Sequence, residues 1–97
     1  MKSLTTYQNF YFVGIGGIGM SALARYFQAS GKTVLGYDKT PTDLTFQMES
    51  EGIELIFEDH LDKIGNFMTP ENTLVVYTPA VPKDLKIYLY FFQNGFQ

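Results

Sequence analysis

Glycines placed between an apolar run and a helical pattern are the residues best suited to chemistry in this chain. Gly14, Gly16 and Gly19 have the spacing Gly-x-Gly-x-x-Gly, and the apolar residues 10–13 come directly before them. In such a turn one glycine allows a sharp bend, one lets the backbone approach a phosphate, and one lets the helix pack closely on the strand. The N–H groups at a helix start attract an anion without a lysine in the loop. The run therefore predicts a phosphate-binding turn.

An acidic residue follows the second apolar run. Asp38 comes about 20 residues after the last glycine of the turn, where a carboxylate can accept hydrogen bonds from ribose hydroxyls. Strand, glycine turn, helix, strand and acidic residue together indicate a nucleotide-binding unit. A glycine turn beside a surface aspartate with no ligand is the weaker interpretation, because the whole strand–helix–strand context is present.

Short apolar runs and helical patterns alternate along the chain. The expected strands are residues 10–13, 32–37, 53–57 and 73–77. The expected helices begin near Ile18, at Thr42 or Asp43, and near Lys83, and they end at Gly31, Gly52 and Gly95. This order predicts an α/β fold in one domain, residues 1–97: a Rossmann-like open parallel sheet of strand order 3-2-1-4 with helices on both faces. A right-handed crossover after the last helix leads into another strand, so we expect an N-terminal piece of a longer protein, truncated before that strand.

Three helices should bury apolar side chains at helical spacing. The expected buried residues are Met20, Leu23, Ala24 and Phe27 in the first helix, Leu44 and Met48 in the second, and Leu85, Tyr88, Leu89 and Phe92 in the third. Tyr90 and Phe91 would then face neighbouring domains or the missing strand. Leu23 carries a further implication, since dinucleotide-binding helices usually have Ala or Gly at that place. Its bulk argues modestly against NAD.

Composition narrows the classes of partner. The 97 residues carry a net charge of -3 with no basic stripe, which predicts no nucleic-acid partner. Glycines interrupt the apolar stretches, which predicts no membrane partner, and the absence of cysteine agrees with a cytoplasmic location. We expect no metal site and no catalytic residue. The remaining carboxylates are interpreted as solvated helix and loop ends: Glu49, Glu51, Glu54, Glu58, Asp59 and Asp62.

Residues 12–21, Phe-Val-Gly-Ile-Gly-Gly-Ile-Gly-Met-Ser, resemble the opening of the bacterial UDP-N-acetylmuramate:L-alanine ligases of the Mur ligase family. The doubled glycine and the following methionine are the distinguishing marks. The resemblance continues through Gly36-Tyr37-Asp38, residues 52–55, His60 and residues 74–81, Leu-Val-Val-Tyr-Thr-Pro-Ala-Val. It covers the whole chain and corresponds to the first of that family's three domains.

The resemblance implies that each of the three domains binds a different substrate. The first domain binds the UDP part of UDP-N-acetylmuramate, the central one binds ATP and magnesium, and the last brings in the amino acid. The full enzyme adds L-alanine in peptidoglycan biosynthesis. This chain has no Gly-x-x-x-x-Gly-Lys-Ser/Thr loop, so we expect no cofactor in this piece and no activity from it alone. Its implied partners are UDP-N-acetylmuramate and the other two domains of the same chain.

A set of substrate-binding residues follows from the resemblance: Gly14, Ile15, Gly16, Gly17, Ile18, Gly19, Met20, Asp38, His60, Thr78, Pro79 and Ala80. The backbone of residues 14–20 would meet the diphosphate, Asp38 the ribose or uracil, and Thr78 could supply a hydroxyl. Tyr37 and Pro79 stand where the family commonly has serine, and Pro79 has no N–H to donate. For His60 we favour a solvated loop residue.

Two other functions stay open on the residues alone. One is an NAD-binding domain of a dehydrogenase, and the other is a nucleotide-sensing module of the kind that regulates ion transport. The Gly-Gly-x-Gly-Met sequence of residues 16–20 favours the ligase over both.

Overall fold

The structure is a computed structural model that describes residues 6–61, 64 and 67–96. These residues form four strands and three helices with connecting loops. In chain order they are β1 Asn9–Val13, α1 Ile18–Ala29, β2 Thr33–Tyr37, α2 Asp43–Ser50, β3 Glu54–Ile56, β4 Thr73–Val76 and α3 Lys86–Gln93. The strands form one sheet of order β3-β2-β1-β4, and each neighbouring pair is parallel. The predicted fold class and strand order are confirmed. The further strand expected after α3 would follow residue 97 and stays a prediction.

The central strand β1 is buried on both faces, as its unbroken apolar sequence predicts. Phe10 and Phe12 lie in the hydrophobic core between the sheet and helices α1 and α2. Tyr11 and Val13 lie in the opposite core, which α3 covers. Helices therefore pack on both faces of the sheet.

Helix α1 presents a different face to the sheet from the one expected. Ala24 and Phe27 are buried as predicted, and the Phe27 ring stacks on Phe10 at 3.9 Å between ring centroids. Ser21 is buried as well, whereas Leu23 is 41% exposed, so its predicted burial is wrong. Small side chains at Ser21 and Ala24 suit close packing between the helix and the sheet. The argument against NAD from the bulk of Leu23 loses its basis.

Helix α2 has its N-cap at Thr42, the first of the two residues expected at its start. Thr42 is the N-cap: its hydroxyl accepts from the Thr45 N–H at 3.2 Å, and its own N–H donates to the Thr45 hydroxyl at 2.8 Å. Met48 is buried as expected, and Leu44 is partly buried. Gly52 follows the helix with φ +99, a left-handed conformation that favours glycine.

Helix α3 starts three residues later than predicted and is rotated. Ile87, Tyr88 and Phe91 are buried, while Leu89 and Phe92 are 36% and 70% exposed, so the predicted stripe is wrong except at Tyr88 and in part at Leu85. Six of the eight residues in KIYLYFFQ are apolar or aromatic, so spacing alone could not select the buried face. Across the described residues, the longest helix is too short to span a bilayer.

Candidate functional site

A cavity of about 510 Å³ opens where the chain leaves β1, β2 and β4. Its volume lies within the range of small-molecule sites, about 300–1,000 Å³. The β1 connection leads to α1 on one face of the sheet and the β4 connection to α3 on the other, and ligands of open α/β sheets collect at such a switch point. The lining residues are Gly14, Gly17, Gly19, Met20, Tyr37, Asp38, Lys39, Thr78, Ala80, Val81, Pro82 and Leu85.

The structure brings seven of the twelve predicted site residues to this cavity. They are Gly14, Gly17, Gly19, Met20, Asp38, Thr78 and Ala80. The other five are not part of its lining: Ile15, Gly16, Ile18, His60 and Pro79.

Most N–H groups of the glycine turn have partners within the protein. Those of Gly14 and Ile15 donate to the Tyr37 carbonyl at 2.8 and 3.0 Å, which continues the pairing of β1 with β2. The Gly16 N–H donates to the Asp38 Oδ2 at 2.8 Å, and the Gly17 N–H donates to the Gly14 carbonyl at 3.3 Å. The turn is therefore held by hydrogen bonds to the end of β2, to the Asp38 carboxylate and within itself.

The first turn of α1 has the N–H groups that remain. The first hydrogen bond of the helix runs from the Ser21 N–H to the Gly17 carbonyl at 2.8 Å. Within the described residues, the N–H groups of Ile18, Gly19 and Met20 have no acceptor, as is usual for the first turn of a helix. These three groups and the helix dipole make this end of the cavity attractive to an anion.

The Ile15 side chain anchors the turn from beneath. It is fully buried, and it packs so tightly over Gly36 that a Cβ there would lie 2.5 Å from Ile15 Cδ1 and 3.0 Å from the Phe12 carbonyl oxygen. Gly36 must therefore be glycine, a requirement that spacing alone did not reveal. The site can use only the backbone of Ile15.

The cavity has a charged residue that the sequence reading missed. Lys39 directly follows Asp38, is exposed, and makes no ion pair with any carboxylate in the described part of the chain. The signal was present, because a basic residue at the carboxyl end of β2 must lie near the β1–α1 turn in a parallel sheet. The cavity thus combines a cation with the free N–H groups of the helix start.

Tyr37 also lines the cavity from the end of β2. Burial, followed by the nearby Asp59 and Asp38 carboxylates, raises the pKa of its phenol above the ordinary value. At neutral pH the side chain is therefore an uncharged hydrogen-bonding group. The serine expected by resemblance is replaced by a larger group that retains a hydroxyl.

The connection after β4 closes the other side of the cavity. Residues 78–81 form a turn in which the Val81 N–H donates to the Thr78 carbonyl at 3.1 Å. Val81 is buried, and its Cγ2 would lie 3.4 Å from a Cβ on Gly14. Thr78 and Ala80 line the cavity, while Pro79 is exposed outside it.

His60 lies apart from this cavity in a connecting segment. Its side chain is 55% exposed, and Nε2 lies 3.6 Å from the Glu58 Oε2. Within the ranges that the structure describes, three or more His, Asp or Glu side chains do not gather at one point as a metal site would require.

Comparison with known proteins gives one consistent result. The family model described as "Mur ligase family, catalytic domain" matches residues 9–96. The UDP-N-acetylmuramate–L-alanine ligase of Christiangramia forsetii is 52% identical over 99 residues, which cover 100% of this chain and 22% of that protein. The enzyme of the same name from Parabacteroides distasonis is 57% identical over 88 residues, covering 90% of this chain and 19% of its own length.

A solved structure agrees with these sequences. The crystal structure of the UDP-N-acetylmuramate-alanine ligase of Thermotoga maritima matches with a TM-score of 0.76 and 32% identity. The match covers 88% of this chain and 19% of that one. The chain thus spans about a fifth of the length of the relatives that it matches.

Proposed function

This chain belongs to the Mur ligase family, and from that membership we propose that it is the nucleotide-sugar-binding part of a UDP-N-acetylmuramate:L-alanine ligase. The observation that carries the proposal is the cavity at the switch point, bordered by the start of α1, whose first-turn N–H groups have no acceptor among the described residues. A diphosphate and its attached groups match that combination in charge and size.

The diphosphate would bind at the start of α1. The N–H groups of Ile18, Gly19 and Met20 would donate to its oxygens, and the Lys39 ammonium would offset part of its charge. Of the glycine run, residues 14–20, only the last three would donate to the diphosphate. The first four hold the turn in shape.

The nucleoside and sugar would occupy the rest of the cavity. Met20, Val81, Pro82 and Leu85 provide apolar wall there. Two lining residues, Tyr37 and Thr78, carry neutral hydroxyls, and we assign hydrogen bonds with the ligand to them. We keep Thr78 as the hydroxyl donor that the resemblance implies, and Ala80 as a backbone contact beside it.

The chemistry of the complete ligase belongs to the remainder of the longer protein. There we place ATP, magnesium, L-alanine and the two further domains, as the resemblance to this family implies. The 97-residue chain would bind substrate without converting it. A role in peptidoglycan synthesis on a UDP-activated sugar also implies a cytoplasmic location.

Calorimetric titration tests this proposal with UDP-N-acetylmuramate and NAD as the two ligands. We expect the UDP-sugar to bind more tightly. Lys39→Gln should weaken that binding about two- to fivefold, the effect of losing one partly exposed charge contact. Lys86→Gln is the matched control, because Lys86 carries the same charge and is exposed outside the cavity lining.

Two results would count against the proposal. One is tighter binding of NAD than of the UDP-sugar. The other is an equal loss of affinity in the Lys39 and Lys86 variants, which would mean that the effect comes from net charge and not from a contact in the cavity.

A further inference from the structure

Asp38 joins two loops that border the cavity. Its Oδ2 accepts from the Gly16 N–H of the β1–α1 turn at 2.8 Å, and its Oδ1 accepts from the Thr40 N–H of the β2–α2 connection at 3.1 Å. Its own N–H donates to the Ile56 carbonyl at the end of β3 at 3.1 Å. One residue thus links the chain segments that leave three neighbouring strands.

We propose that Asp38 is a positioning residue that fixes the glycine turn for anion binding, and that this role outweighs any contact with a ribose. The inference rests on the proposed function for the identity of the ligand. Both carboxylate oxygens already accept charge-assisted hydrogen bonds from the backbone. Those bonds also offset a negative charge that would otherwise repel a diphosphate nearby.

The space around Gly16 supports this assignment. A Cβ at that position would lie 2.7 Å from Asp38 Oδ2 and 3.1 Å from Asp38 Cγ, so a side chain would displace the carboxylate. Gly16 is not part of the cavity lining. The second glycine of the Gly-x-Gly-x-x-Gly pattern therefore makes room for Asp38 here, where the pattern predicts close approach of a phosphate.

The positioning role and the ribose role predict different ligand dependence. Inorganic pyrophosphate has the anionic groups of UDP but no ribose. If Asp38 positions the turn, Asp38→Ala weakens binding of UDP and of pyrophosphate by the same factor, on the order of tenfold. Asp38→Asn keeps one acceptor oxygen and should recover part of the loss for both ligands. Asp43→Ala removes an equal charge from the nearby start of α2 and should change neither affinity.

Three binding outcomes would overturn the inference. They are a loss confined to UDP, which would make Asp38 a direct ribose ligand, no loss for either ligand, and an equal loss in the Asp43 variant.

Hydrogen exchange of the ligand-free chain separates this inference from the proposed function. We expect the Gly16 and Thr40 amides to exchange slowly in the wild type and much faster in Asp38→Ala, with an intermediate rate at one of them in Asp38→Asn. If the wild type binds neither UDP nor pyrophosphate, the proposed function fails, and exchange alone then decides whether Asp38 holds the turn. Unchanged exchange at both amides would overturn the positioning role.

Discussion

Gly16 and Gly36 show how single residues set the shape of the candidate site. Each lacks a side chain because a neighbour occupies the space: the Asp38 carboxylate at Gly16 and the Ile15 side chain at Gly36. Neither need can be read from spacing, because it depends on β1 and β2 lying side by side with Val13 opposite Tyr37. The sequence predicted the position of the turn. The reason for each glycine becomes clear only from the packing of the two strands side by side.

Tyr11 is the residue whose replacement should improve the fold. It is 1% exposed, its ring packs on Phe91 at 4.8 Å between centroids, and its hydroxyl has no hydrogen-bond partner among the described residues. Because an unpaired buried hydroxyl is costly, Tyr11→Phe should raise the free energy of unfolding by about 1 kcal/mol in urea denaturation at neutral pH. Tyr26→Phe, at an exposed position, should leave it unchanged. A less stable Tyr11→Phe protein would contradict this account.

The same hydroxyl makes the fold sensitive to alkali. Burial, with smaller contributions from Asp59 and Glu54, raises the pKa of Tyr11 well above its ordinary value. A tyrosine of the unfolded chain ionises near pH 10, whereas the folded one stays protonated. This titration therefore leaves the free energy of unfolding unchanged below about pH 10 and lowers it as the pH rises further. The decline should be shallower in Tyr11→Phe, and Tyr37 should account for part of what remains. Thermal unfolding of both proteins at about pH 9 to 11 measures this loss of stability.

At the level of elements, prediction succeeded where local chemistry sets a boundary. Thr42 caps α2 because its hydroxyl accepts from the Thr45 N–H and the Thr45 hydroxyl accepts from the Thr42 N–H, a capping box contained within four residues. The prediction of which face of α3 is buried was wrong because apolar residues cover most of the helix. A contact with a residue far along the chain fixes the helix start instead.

That contact comes from Asp59, which the sequence reading took for a solvated loop residue. Its Oδ2 accepts from the Lys86 N–H at 2.7 Å and its Oδ1 from the Ile87 N–H at 2.9 Å, so it caps α3 from 27 residues away. A carboxylate at this end also interacts favourably with the helix dipole. No local pattern could have revealed a cap supplied by another loop.

Removal of this cap gives a prediction for the whole helix. Asp59→Ala should lower the free energy of unfolding by about 1–2 kcal/mol, because two N–H groups lose their acceptor. Glu58→Ala is the matched control, since the neighbouring Glu58 side chain is 69% exposed. Urea denaturation followed by circular dichroism measures both. Equal effects of the two substitutions would show that general charge, and not capping, is responsible.

At the scale of the molecule, alternation of strands and helices was enough to predict the sheet. In the order β3-β2-β1-β4 the chain passes outward from β1 to β3 and then returns to place β4 on the other side of β1, so the path reverses once beside β1. The same reversal creates the cavity, so the place of the candidate site could be predicted, and seven of the predicted residues line it. Val81, Pro82 and Leu85 were missed because their proximity depends on how the segment after β4 folds back over the strand ends, whereas Lys39 follows directly from the place of β2 beside β1.

Amide chemical shifts of the isotopically labelled chain, recorded as UDP-N-acetylmuramate is added, test the central claim most directly. The account predicts saturable shifts that are largest at Ile18, Gly19 and Met20 and extend to Lys39 and Thr78. Amides of α2 residues 46–50, which lie outside the cavity lining, should change little. The absence of saturable change, or shifts centred away from the start of α1, would contradict the claim that this cavity holds the nucleotide-sugar.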